Sequence, residues 1–148
     1  MKNEIVRSIE IKAPISKVWE ALTDHQKFGE WFRAKIDGPF VEGQRSTGHM
    51  TYPGYEGYPW EAIIQKIEPQ TYFALTWPSG ADAGEDETED NWTLVEFRLE
   101  EIPGGTRLTV RESGFDRVPS HRRAAAFRDN SEGWVIQTNN IREYVENN

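Results

Sequence analysis

The spacing of apolar residues changes twice along this chain, and the order of the changes limits the folds that it can adopt. Residues 4–12 alternate apolar and polar side chains, which is typical of a half-buried strand. Residues 15–22 and 28–32 repeat apolar side chains at intervals of three and four, which predicts two short helices. Short alternating segments follow, and from residue 120 onward the helical spacing returns.

Turn-forming residues divide the middle of the chain into six candidate strands. They are 32–37, 44–52, 59–68, 71–77, 92–102 and 105–113. Because the connections between them are short, successive strands should pair antiparallel.

The last helix is predicted to present one stripe to the sheet, formed by Ala124, Phe127, Ser131, Trp134, Thr138, Ile141 and Val145. Ser131 and Thr138 are polar, and buried polar groups need partners. We therefore expect this helix to cover a cavity. Gly133 weakens the helix by about 1 kcal/mol relative to Ala, and indicates either a tolerated defect or close packing beside Trp134.

Composition excludes several classes of function. The 148 residues fit a single domain, 1–148, and the absence of cysteine excludes disulfides, thiolate metal sites and thiol catalysis. The net charge of -8 argues against nucleic acid or an anionic membrane as the main partner. Six of the acids fall in residues 82–90, which we predict to be an exposed mobile loop. With no signal peptide and no long apolar run, a cytoplasmic location is expected.

Aromatic residues are abundant, with 6 Trp, 5 Tyr and 7 Phe, and they form either a compact core or the wall of a cavity. A small core rarely needs four tryptophans, so four of them are candidates for a cavity wall, namely Trp60, Trp77, Trp92 and Trp134. Glu112 continues the inward alternation of Leu108 and Val110, so its carboxylate needs a partner or becomes protonated. It is either a structural bridge to an Arg or an indole N–H, or a polar anchor or general acid–base inside a pocket.

The predicted ligand-pocket residues lie on both helices and strands. They are Trp31, Phe32, His49, Trp60, Phe73, Trp77, Trp92, Phe97, Glu112, Phe127, Trp134, Thr138 and Ile141. No catalytic residue, metal ligand or cofactor is predicted. The chain has no Gly-rich phosphate loop or nucleophile elbow, and its three histidines fall on different elements.

Residues 13–24 (APISKVWEALTD), followed by Trp31-Phe32, resemble the N-terminal signature of activator of heat-shock-protein-90 ATPase homologues. That family belongs to the START-like, or SRPBCC, superfamily. Residues 106–115 (TRLTVRESGF) resemble its last strand, and Gly133-Trp134 its closing helix. The resemblance implies an α+β helix-grip fold, in which a curved antiparallel sheet of about seven strands surrounds a long C-terminal helix, with two short helices after the first strand.

Three functions remain open. The leading hypothesis is non-enzymatic binding of a small hydrophobic or aromatic molecule, such as a lipid, in a pocket between the sheet and the C-terminal helix. The second is a chaperone-associated role in the stress response, which the family name alone implies. The third is a cyclase or hydrolase that uses Glu112 with His49 or a tyrosine as acid and base. Because an edge strand can pair with a second copy, the protein is expected to be a monomer or a weak homodimer.

Overall fold

The computed structural model of the protein describes residues 3–79 and 88–148. In chain order the elements are β1 (Glu4–Ile11), α1 (Ile15–Thr23), α2 (His25–Phe32), β2 (Ala34–Ile36), β3 (Arg45–Met50), β4 (Pro59–Glu68), β5 (Tyr72–Trp77), β6 (Thr93–Ile102), β7 (Gly105–Ser113) and α3 (Ser120–Glu146).

The strands form one antiparallel seven-stranded sheet in the order β1-β7-β6-β5-β4-β3-β2. Each strand from β2 to β7 pairs with its neighbour in sequence, as the short connections predict, and β1 then closes against β7. The β1–β7 register runs from Glu4 opposite Ser113 to Ile11 opposite Thr106. The sheet curves around α3, so the predicted helix-grip fold is confirmed.

The two short helices are separated by a single residue. The side chain of Asp24 accepts hydrogen bonds from the backbone N–H groups of Gln26 and Lys27, which fixes the first turn of α2. The helix ends at Arg33, whose φ of 70° is left-handed. Strand β2 therefore begins at Ala34, two residues later than the predicted start at 32.

The main core lies between the sheet and the three helices, and it contains a dense aromatic cluster around Phe28. The ring of Phe28 is fully buried and lies 4.7 Å from Trp31, 5.4 Å from Phe40 and 5.5 Å from Trp60, measured between ring centroids. Part of the aromatic excess therefore belongs to ordinary core packing, which was one of the two alternatives that the composition left open.

Helix α3 has a buried stripe that differs from the predicted one at its N-terminal end. Trp134, Thr138, Ile141 and Val145 are buried as predicted, but Ala124 is exposed and Ala126 is buried instead. Two residues rotate the helix by roughly 200°, so a small error in the phase of the pattern moves a side chain to the opposite face.

The predicted acidic loop, 82–90, falls mostly outside the described residues. Of its members, Thr88, Glu89 and Asp90 are described, and all three are exposed. Glu89 begins a short 3-10 turn, Glu89–Asn91, and its carboxylate lies 3.2 Å from the guanidinium of Arg45.

Candidate ligand-binding cleft

A cleft of about 610 Å³ opens between the N-terminal half of α3 and the sheet. Residues 121–137 of α3 form one side. The other side is built from the end of α2, the β3–β4 hairpin with its connecting loop, and the end of β5. This volume lies within the roughly 300–1,000 Å³ that small-molecule sites occupy in proteins.

Four aromatic rings form the floor of the cleft, contributed by Phe32, Trp60, Trp77 and Trp134. The indoles of Trp77 and Trp134 are stacked, with ring centroids 5.6 Å apart and an interplanar angle of 17°. Trp60 meets Trp77 edge to face at 6.0 Å. Strand β5 supplies one indole and α3 the other, so the floor joins the sheet to the helix.

Three tyrosines surround the mouth of the cleft, on the loop that joins β3 to β4. Tyr52 lies 6.2 Å from Tyr55, and Tyr55 lies 5.6 Å from Tyr58, both in edge-to-face arrangements. Tyr55 and Tyr58 are each 46% exposed. Gly54 and Gly57, with φ of 93° and 84°, supply the left-handed turns that hold the rings together.

Behind the floor lies the carboxylate of Glu112, which is fully buried on β7. One oxygen, Oε2, accepts hydrogen bonds from Trp77 Nε1 at 2.9 Å and Thr93 Oγ1 at 2.6 Å. The other, Oε1, accepts from Trp134 Nε1 at 2.9 Å. Asn130 Nδ2 donates to both oxygens, at 3.0 Å to Oε2 and 3.2 Å to Oε1.

Glu112 therefore holds three side chains of the cleft from behind, those of Trp77, Asn130 and Trp134. In the described part of the chain its hydrogen-bond donors are all neutral. Burial raises the pKa of Glu112 above its ordinary value, and the donated hydrogen bonds act in the opposite direction. The sequence left open whether Glu112 is a structural bridge or a polar group inside the pocket. These contacts match a structural bridge to indole N–H groups.

Four of the predicted pocket residues line this cleft, namely Phe32, Trp60, Trp77 and Trp134. Trp92, the fourth tryptophan proposed for the wall, is buried elsewhere, with the guanidinium carbon of Arg45 5.6 Å from its ring centroid. His49 is exposed, because Ser46, Gly48 and Met50 take the inward positions of β3.

The remaining predicted residues lie in the packed interior and not on the cleft surface. Trp31 donates its indole N–H to the backbone oxygen of Ala21 at 2.8 Å. Phe127 packs against Phe115 in a separate small cluster. The others belong to the main core or to its buried polar groups, namely Phe73, Phe97, Glu112, Thr138 and Ile141.

Thr138 shows why a polar residue on the closing helix does not require a cavity. Its hydroxyl donates to the backbone oxygen of Trp134 at 2.6 Å and accepts from Arg7 Nε at 2.7 Å. Thr138 is thus satisfied by its own helix and by β1. Ser131 also bonds within the helix, to the oxygen of Phe127.

Sequence reasoning missed most of the polar lining of the cleft. Helix α3 contributes His121, Arg122, Asp129, Asn130 and Glu132. The same helix contributes Gly133, where an added Cβ would meet no atom within 4 Å. Gly133 therefore faces open space, and of the two alternatives left open by the sequence the tolerated defect fits this position.

Within residues 3–79 and 88–148, no group of three or more His, Asp or Glu side chains could hold a metal ion. In the same residues no helix is long and apolar enough to cross a lipid bilayer.

Several solved structures share the helix-grip architecture of this chain. Protein MLL2253 from Mesorhizobium loti is 26% identical over 97% of both chains, with a TM-score of 0.78. Two more share the fold at 19% identity. The Aha1 dimer from Colwellia psychrerythraea covers 97% of this chain and 96% of that one, with a TM-score of 0.73. The match to CalU16 from Micromonospora echinospora covers 96% of this chain and 75% of the CalU16 chain, with a TM-score of 0.66.

The sequence also matches a family profile over residues 12–146, nearly its whole length. The profile is that of the Activator of Hsp90 ATPase homolog 1-like proteins, and the chain belongs to this family. The resemblance found in the sequence is thereby confirmed. A comparison with proteins of curated function found no match.

Proposed function

We propose that the protein binds a small hydrophobic or aromatic molecule in the cleft and does not convert it chemically. The proposal depends chiefly on the aromatic floor formed by Phe32, Trp60, Trp77 and Trp134 in a cleft of about 610 Å³. Aromatic and apolar walls with a few polar groups are typical of ligand sites, because burial of apolar ligand surface drives binding and the polar groups orient the ligand.

The hydrogen bonds behind the floor support the same proposal. The indole N–H groups of Trp77 and Trp134 are both bound to Glu112, and that of Trp60 is bound to Ser46 Oγ at 2.9 Å. The rings are thus held in place before a ligand arrives. A preorganised site loses less side-chain entropy on binding than a site that must form around its ligand.

The catalytic alternative has weaker support. Acid–base chemistry needs two titratable groups that reach the same substrate. The hydrogen-bond partners of Glu112 among the described residues are two indoles, a hydroxyl and an amide, and His49 lies on the exposed face of β3.

The chaperone alternative rests on the family description and not on a feature of the cleft. We would test it by a pull-down with a heat-shock-protein-90 type ATPase and by the rate of ATP hydrolysis.

A homodimer is proposed by analogy with the relative from Colwellia psychrerythraea, whose structure is described as a dimer. Light scattering coupled to size-exclusion chromatography measures that state directly.

The binding proposal is tested with the neutral fluorophore N-phenyl-1-naphthylamine and two matched variants of α3. Ala125 lines the cleft, whereas its neighbour Ala124 is exposed and lies outside it. We expect Ala125→Phe to fill the cleft and weaken probe binding about tenfold or more, while Ala124→Phe binds as the unchanged protein does. Equal binding by both variants and the unchanged protein would contradict the proposal. Native mass spectrometry of the purified protein reveals any molecule that is retained from the cell.

A further inference from the structure

Charge is distributed unevenly along the α3 side of the cleft. The basic side chains that line it, His121 and Arg122, lie in the first turn of the helix. The guanidinium of Arg122 donates to Ser79 Oγ at 2.7 Å, so it is engaged at that end of the cleft. Asp129 and Glu132 lie seven and ten residues further on, which places them roughly 10 Å and 15 Å away along the helix axis.

Within residues 3–79 and 88–148, the two acids are only weakly neutralised by basic side chains. Asp129 is 3.3 Å from Arg128, but both side chains are more than half exposed, and exposed pairs contribute little. On the opposite side of the cleft, Glu61 pairs with Arg45 and adds less to the local charge. The part of the cleft away from the start of α3 is therefore negative.

The aromatic floor also favours a positively charged ligand over an anionic one. All three indole N–H groups of the floor are bound to protein oxygens, on Ser46 and on Glu112. An anionic ligand would find none of these donors free. The ring faces carry partial negative charge, and tryptophan faces attract cations most strongly among the aromatic side chains.

The buried carboxylate of Glu112 strengthens the preference for a cationic ligand. Glu112 accepts hydrogen bonds from Trp77 and Trp134, which raises the electron density of both rings, and among residues 3–79 and 88–148 its hydrogen-bond donors include no cation. In its ionised form the carboxylate is screened little by solvent ions, because it lies in the protein interior.

We propose that the cleft selects lipophilic cations, such as hydrophobic amines and quaternary ammonium compounds, over neutral and anionic molecules of the same size. The apolar part of the ligand lies on the indoles of the floor, and its cationic group lies toward Asp129 and Glu132. This inference rests on the proposed function, because it specifies the ligand class of the same cleft.

The test uses three probes with one common decyl chain, namely decyltrimethylammonium, decanol and decanoate, the two ions below their critical micelle concentrations and decanol below its solubility limit. Each probe competes with N-phenyl-1-naphthylamine for the cleft. We expect the cation to displace the fluorophore at a concentration about tenfold lower than decanol needs, and decanoate to be the weakest. In the double variant Asp129→Asn with Glu132→Gln, the preference for the cation over decanol should fall about fivefold or more, with displacement by decanol unchanged.

Glu143→Gln provides the matched control, because it removes a negative charge from an exposed position of the same helix outside the cleft lining. It should leave the preference intact. Equal displacement by all three probes, or a preference that survives the double variant unchanged, would overturn the inference and leave the proposed function standing. If neither the fluorophore nor any probe binds, the proposed function itself fails.

Discussion

The two halves of helix α3 have the same secondary structure but different surroundings. In the C-terminal half, Ile141 and Val145 are buried against the sheet and the short helices, and the hydroxyl of Thr138 bonds to β1. In the N-terminal half, one face of residues 121–133 lines a cleft and carries mostly polar or small side chains. Trp134 lies at the junction, with its ring on the cleft and its N–H on Glu112.

The difference shows how one helix serves two purposes. Where the helix contacts the sheet directly, the close packing of a protein interior requires side chains of matched shape. Where it stands away from the sheet, the space is left open and the floor is held in place by Glu112. Stability should therefore depend mainly on the C-terminal half, and ligand binding on the N-terminal half.

The largest effect is expected from two isoleucines that lie five residues apart on this helix. Ile141 is 1% exposed, so Ile141→Ala should lower the free energy of unfolding by about 2–5 kcal/mol. Ile136 lines the cleft and is 45% exposed, so Ile136→Ala should change stability by no more than about 0.5 kcal/mol. Urea denaturation measures both values. Similar losses in the two variants would show that the packed positions of the helix and those that line the cleft do not differ as described.

The second largest effect on the free energy of unfolding is expected for Glu112→Gln. Glutamine has one acceptor oxygen, so in either orientation one of the two indole N–H groups would face an NH₂ group. An unpaired buried donor costs about 1–3 kcal/mol, and we expect a loss of that size below pH 4.5, where the carboxyl group is mostly protonated in both states. The measurement is urea denaturation followed by near-ultraviolet circular dichroism.

The pH dependence of that loss gives a second test. Burial raises the pKa of Glu112 above its ordinary 4.5, so between 4.5 and the raised value the folded state holds a proton that the unfolded state has lost. The stability of the unchanged protein then falls with rising pH, by up to about 1.4 kcal/mol per pH unit within that window. The glutamine variant lacks this contribution, so its stability relative to the unchanged protein should rise with pH. A difference that stays constant with pH would rule out a raised pKa.

The smallest effect is expected at Gly133, where an added methyl group meets open space. Gly133→Ala should raise the free energy of unfolding by about 0.5–1 kcal/mol, because alanine favours the helix. The same methyl group projects into the cleft, so affinity for N-phenyl-1-naphthylamine should decrease. Thermal unfolding and fluorescence titration measure the two effects, and a gain in stability with no loss of affinity would remove Gly133 from the site.

Much of the fold could be predicted because alternation and helical spacing are local properties of the sequence. Residues 105–113 alternate regularly, which correctly placed Glu112 inside the protein. Short connections correctly indicated the antiparallel order of β2 to β7. The family signature at residues 13–24 supplied the rest of the architecture.

The candidate site was harder to predict, because it depends on distances between elements. No local pattern shows that α3 stands away from the sheet in its first half, so Asp129, Asn130 and Glu132 were missed. The tyrosines of the β3–β4 loop gave only an indirect signal, namely their spacing among turn-forming glycines. His49 was assigned to the pocket although the alternation of β3 places it on the outer face.

The pairing of β1 with β7 has a consequence for how the chain folds. Glu4 lies opposite Ser113, and Arg7 bonds to Thr138, 131 residues further along the chain. Contacts this distant in sequence slow folding, because a large loop must close before they form. At ordinary rates of protein synthesis, β1 would wait roughly 5 to 20 s on the ribosome before its partner strand is made. During that interval its apolar side chains lack their partner strand, and the sheet is completed only after β7 has been made.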